Sequence, residues 1–141
     1  MKEKLKLKEL ILSDLMKYEK KTTFIVFLKS FFISHLGFRI STYDRLCNYL
    51  FYNNKRLYFV FYFVYRKLSR KYGIETPPTT SIGSALFMPH PISIVINKNC
   101  AIGDNCHLHQ NVTIGASGKF NNKKFPILHD NIYWTRSNNI W

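Results

Sequence analysis

Ile96, Ile102, Leu108 and Ile114 fall at equal intervals of six residues, and no other feature of this chain restricts its fold so tightly. An α-helix returns to one face every 3.6 residues and a strand every 2.0, so neither produces this period. A six-residue step fits one flat side of a three-sided coil of parallel β-structure. Each side sends one large aliphatic inward, and stacked coils bury a continuous core. Asn97, Gly103, His109 and Gly115 follow the four aliphatics directly, and Cys100, Cys106 and Val112 lie four residues after the first three, small enough to fill the corners. The phase runs back through Ile82–Gly83 to Met88 and slips by two across Pro89–His90–Pro91. It breaks after Gly115 at a loop over 116–125 rich in Gly, Asn and Lys, and resumes at Leu128, which makes 134 the next inward position.

The first half differs in kind. Residues 1–73 hold 16 Lys/Arg against 5 Asp/Glu, a charge of +11, whereas 74–141 hold 5 against 3, a charge of +2. Apolar spacing predicts helices over 2–21, 24–36, 38–53 and 55–72, with Thr22–Thr23 as a break and N-cap, Gly37 as a stop, Asn53–Asn54 as a turn and Gly73 as the last stop. Pro77 and Pro78 mark the change of architecture. The fold class expected is therefore mixed: a basic helical region over 1–73, then coils of parallel β-helix over 74–133. A chain 46% hydrophobic and 16% aromatic has the material for a core. No run approaches the roughly 20 apolar residues of a membrane span. The N-terminus does not read as a secretory signal, and three cysteines without paired spacing argue for a reducing, cytoplasmic location. The basic, aromatic helices suggest peripheral contact with an anionic membrane surface, or an ordinary solvated basic face. No nucleic-acid motif accompanies them.

Four segments, YGIETPPTTSIG (72–83), PHPISIVIN (89–97), CAIGDNCHLHQNVTIGA (100–116) and FPILHDNIY (125–133), resemble the serine acetyltransferase-like branch of the hexapeptide-repeat acetyltransferases, which includes capsule and exopolysaccharide O-acetyltransferases. The helical SDLMKYEKKT and FRISTYDRLCNYL segments resemble the polysaccharide-linked members less specifically. The resemblance implies a left-handed β-helix, a homotrimer when complete, and direct transfer of acetyl from acetyl-CoA to a small-molecule hydroxyl with no metal. Such transfer needs a general base beside the hydroxyl and donors for the tetrahedral oxyanion. The family's base is the histidine in the loop before the IVIN-type step, here His90, and imidazole titrates near neutral pH. Acetyl-CoA would lie along the later coils, with Gly115 and Ala116 as contacts.

Other histidines carry plainer readings. His107 and His109 flank the inward Leu108 and should face outward, and His129 and His35 read as surface and structural. A zinc site from Cys100, Cys106, His107 and His109 is disfavoured because the coil phase turns both sulfurs into the core. Departures from the serine-specific pattern point to the acceptor. Those enzymes place aspartate before the base and histidine before the proline that resumes the repeat, where this chain has Pro89 and Phe125. A polysaccharide-precursor sugar is therefore the expected acceptor. The alternatives are serine, as in cysteine biosynthesis, and a non-catalytic basic membrane-binding module. After DNIY the family continues IGPGAIIFG, whereas this chain reads WTRSNNIW over 134–141. Two added nucleotides after the Tyr133 codon restore the family step, so the tail is expected to be frameshifted and the activity impaired by the loss of later coils.

Overall fold

A computed structural model describes residues 6–115, 127–130 and 133–134, the last pair by backbone alone. Four α-helices come first: α1 (Leu7–Leu15), α2 (Phe24–Lys29), α3 (Leu36–Asn53) and α4 (Lys55–Tyr72). The Thr23 hydroxyl accepts from the Val26 amide at 3.4 Å to start α2, and Asn54 Oδ1 accepts from the Leu57 amide at 3.2 Å to start α4. Gly73 closes α4 with φ +65°, a left-handed conformation that glycine adopts without steric cost.

Gly37 does not stop a helix, contrary to its reading from sequence. The segment after α2 widens into a π-helical turn (Ser30–Ser34), and His35, extended at φ −125° and ψ 98°, makes the break. Gly37 then sits buried inside α3. A Cβ there would fall 2.5 Å from the Tyr18 hydroxyl and would collide with the Met88 carbonyl, so the glycine is a packing requirement. Helix α1 ends at Leu15 and not at the expected 21, because after Leu15 the chain turns to bring Tyr18 against the coil, and residues 2–5 of the expected helix lie outside the described residues.

Among the described residues seven two-residue strands follow: β1 (Ser81–Ile82), β2 (Val95–Ile96), β3 (Ala101–Ile102), β4 (His107–Leu108), β5 (Thr113–Ile114), β6 (Ile127–Leu128) and β7 (Tyr133–Trp134). All pairing is parallel, in three narrow sheets ordered β1-β3-β6, β2-β5 and β4-β7. This is the three-sided coil that the period of six requires. Val95 lies over Thr113 with regular spacing, whereas Ile82 lies over Ile102 and Phe87 over His107 with two extra residues between them. Those extra residues fall at Pro89–His90–Pro91. Trp134 is in register with Leu108, the predicted inward position. The rest of the tail, 135–141, and Ala116 lie outside the described residues.

Ile96, Ile102, Leu108, Ile114 and Leu128 are all nearly inaccessible, as are Cys100, Cys106 and Val112 at the fourth offset. Two corners use Asn105 and Asn111, both with φ +59°, because asparagine tolerates the left-handed turn better than most side chains. At another corner the coils approach so closely that a Cβ on Gly103 would fall 2.8 Å from the backbone of the coil above. One apolar cluster runs from Ile40, Cys47 and Tyr65 of the helices into Leu86, Met88 and the coil interior, so helices and coil share a core.

Candidate active site

The two-residue slip gives His90 its setting. Met88 is an inward residue, 5% exposed, and Ile96 is the next inward position along the chain. Eight positions must be fitted where six suffice, so the chain bulges out of the wall. Pro91 is buried and anchors the bulge, while His90 is exposed at its crest. The His90 carbonyl accepts from the Ile92 amide at 2.9 Å, which tightens the turn, and Ser93 completes it at φ +53°.

Side chains and backbone from three places fix this bulge. The Tyr18 hydroxyl accepts from the Met88 amide at 2.9 Å and donates to the Met88 carbonyl at 3.2 Å. The Tyr72 carbonyl at the end of α4 accepts from the Ser93 amide at 2.9 Å, and the Ile92 carbonyl accepts from the Asn111 amide at 3.0 Å. Burial holds the Tyr18 phenol well above its ordinary pKa, so it stays protonated and can donate. Its ring lies 4.7 Å from that of Phe87 and 5.0 Å from that of His35. None of this is readable from spacing: Tyr18 and Met88 are 70 residues apart.

His107 lies one coil from Phe87, with ring centroids 5.1 Å apart. Desolvation holds its pKa below the ordinary imidazole value, helped by the neighbouring Lys17 and His109. His107 and His109 are both partly exposed, in keeping with their flanking an inward leucine, and His129 is exposed. His35 meets Glu19 at 3.1 Å and is structural. Cys100 and Cys106 point into the core. Among the described residues no cluster of His, Cys, Asp and Glu could hold a metal. Gly115 follows the buried Ile114, and among the described residues no atom lies within 4 Å of where a Cβ on it would lie.

Above the bulge a buried ion pair joins helices to coil. Arg45 of α3 donates to both carboxylate oxygens of Asp14, at 3.2 and 3.0 Å, and to the carbonyls of Ile82 and Gly83, at 2.7 and 2.6 Å. Asp14 Oδ1 also accepts from the Leu86 amide at 2.8 Å. This fork fixes the corner just upstream of Met88.

No family-level sequence profile matches the chain. A serine acetyltransferase of Staphylococcus epidermidis is 43% identical over 67 residues, which are 47% of this chain and 32% of that protein. Among solved structures, serine acetyltransferase isoform 3 of Entamoeba histolytica, in complex with cysteine, aligns with a TM-score of 0.64 and 26% identity over 90% of this chain and 45% of its own. A serine acetyltransferase solved in complex with CoA aligns with a TM-score of 0.67 and 16% identity, over 90% of this chain and 51% of its own. The chain thus spans a third to a half of the length of the proteins it resembles. The fold is that of the serine acetyltransferases: a helical region leading into a left-handed parallel β-helix.

Proposed function

We propose that the chain carries the acceptor half of an O-acetyltransferase site, in which His90 takes the proton from a hydroxyl as it attacks the thioester carbon of acetyl-CoA. The bond from oxygen to the acetyl carbon forms, the carbon–sulfur bond breaks, and CoA leaves as the thiol. The observation that carries this reading is the bulge itself. A two-residue insertion lifts one imidazole out of an otherwise regular wall, and hydrogen bonds from Tyr18 after α1, from the end of α4 and from the next coil brace it. Likeness to acetyltransferases of the same fold, one of them solved with CoA, supports acetyl-CoA as the donor. Gly115 and Ala116 are proposed to border it, the open side of Gly115 leaving room for a close approach.

Serine is the acceptor that the relatives favour, since those named are serine acetyltransferases. A sugar hydroxyl is a second reading, carried by Pro89: a carboxylate before the base would suit the ammonium of an amino acid, and proline has none. Offering serine and nucleotide-linked sugars to the same protein separates the two, because only the true acceptor stimulates CoA release. The division at Gly73 into a basic helical region and a site-bearing coil, and assembly as a trimer, belong to the same proposal. So does a cytoplasmic place of action in which the basic region touches an anionic surface.

A further inference from the structure

Helix α4 has a face that acetyl transfer does not use. Its inner side turns Tyr58, Tyr62 and Tyr65 toward the shared core. On its outer side Phe59, Val60, Phe63 and Val64 are 67%, 62%, 73% and 44% exposed. Spaced i, i+1, i+4 and i+5, these four form one stripe along the helix. Lys55 and Arg56 precede the stripe and Arg66, Lys67, Arg70 and Lys71 follow it, with no acidic residue anywhere in α4.

A partner for this face must accept an apolar stripe and a row of cations together. A second copy meeting it face to face would set like charge against like. A single-stranded nucleic acid would neutralise the cations, but Val60 and Val64 offer bases no ring to stack on. An anionic lipid surface meets both demands. The apolar stripe enters the boundary between headgroups and acyl chains, and the long Lys and Arg stems carry their charges to phosphate level. Among the described residues no single helix is long and apolar enough to cross a membrane.

We propose that α4 docks the protein flat on an anionic membrane surface, with Phe59, Val60, Phe63 and Val64 in the interface and Arg66, Lys67, Arg70 and Lys71 against lipid phosphates. This names the surface contact that the proposed function leaves general, and rests on that reading only for its biological purpose. The test is flotation of the full chain with phosphatidylcholine vesicles, with and without phosphatidylglycerol. Binding is expected only to the anionic vesicles and falls as salt rises. Changing the four cations to Gln weakens it by about fivefold per charge. Phe59→Ser with Phe63→Ser also weakens it, and melting temperature and circular dichroism stay those of the parent because the altered side chains face outward. Should the Phe pair fail to fold, the Gln set decides alone. A His90→Ala variant binds like the parent, so failure of the catalytic reading leaves this result standing. Equal binding to neutral vesicles, or binding unchanged by the Gln set, would overturn the proposal. So would loss of binding only when Phe24 and Ile25 of α2 are changed, or a dimer in sedimentation that the Phe59/Phe63 variant abolishes.

Discussion

The phenol oxygen of Tyr18 is both acceptor and donor to one residue, Met88, two positions before the proposed base. Removing that oxygen leaves a buried amide and carbonyl without their partner, at a cost of about 1–3 kcal/mol. Because a displacement of ~1 Å at a reacting group can cost on the order of 100-fold in rate, Tyr18→Phe should lower kcat by about tenfold or more with a small change in KM. Steady-state kinetics beside a thermal melt would show it, and a fall in melting temperature with kcat intact would reduce Tyr18 to a structural role. Asp44 behaves differently. Burial raises its carboxyl to about 7, although Arg45 and the Tyr65 hydroxyl both pull it down. Tyr65 has one proton and places its oxygen 2.7 Å from the Thr76 carbonyl and 3.3 Å from Asp44, so a protonated Asp44 can donate to the phenol and satisfy all three groups. The folded protein therefore holds a proton that the unfolded chain has released between pH 3.8 and about 7. Stability falls across that window as pH rises. Asp44→Asn should raise the melting temperature more at pH 8 than at pH 5, and an equal gain at both would show that Asp44 is ionised throughout.

At the scale of single coils, glycine has two distinct jobs. Gly103 lies so close to the next coil that Gly103→Ala must push backbone apart, at about 1–3 kcal/mol by analogy with overpacking. Among the described residues nothing crowds Gly115, so Gly115→Ala should change stability by less than about 0.5 kcal/mol. If Gly115 borders acetyl-CoA, its variant raises KM for acetyl-CoA all the same. Denaturant melts of the two variants side by side check the contrast, and equal losses would contradict it. The coil steps were legible because their period is a direct record of geometry: one inward side chain per flat side. The ends of α4 were legible too, from Asn54 and Gly73, whose local chemistry stops and starts helices whatever lies around them. Gly37 misled because a glycine needed for close packing looks, in one dimension, like a glycine needed for a turn. The π-helical turn had no signal in the spacing.

For the whole molecule, the feature hidden from sequence is the seam between helices and coil. Asp14, Arg45 and Tyr18 each reach across tens of residues, and Tyr65 across 11, to a backbone group of the first coil, and no periodicity encodes such a contact. The resemblance of the local segment made His90 visible, while the residues that brace it needed three dimensions. Arg45→Ala would strip the buried Asp14 of its cationic partner and leave it the Leu86 amide, and breaking such a pair typically costs about 3–5 kcal/mol. Calorimetry should show helices and coil losing stability together, since they share one apolar cluster. Two separate transitions would mean that the halves fold independently.

Acetyl transfer with His90 as base is tested most directly by incubating the chain and its His90→Ala variant with acetyl-CoA and serine, and counting acetylated product by mass spectrometry. Slow, serine-dependent acetylation is expected from the parent and a loss of about 100-fold or more from the variant, the scale of general-base catalysis, with an unchanged melting temperature. Equal product from both proteins, or none from either with any hydroxyl acceptor, would contradict it.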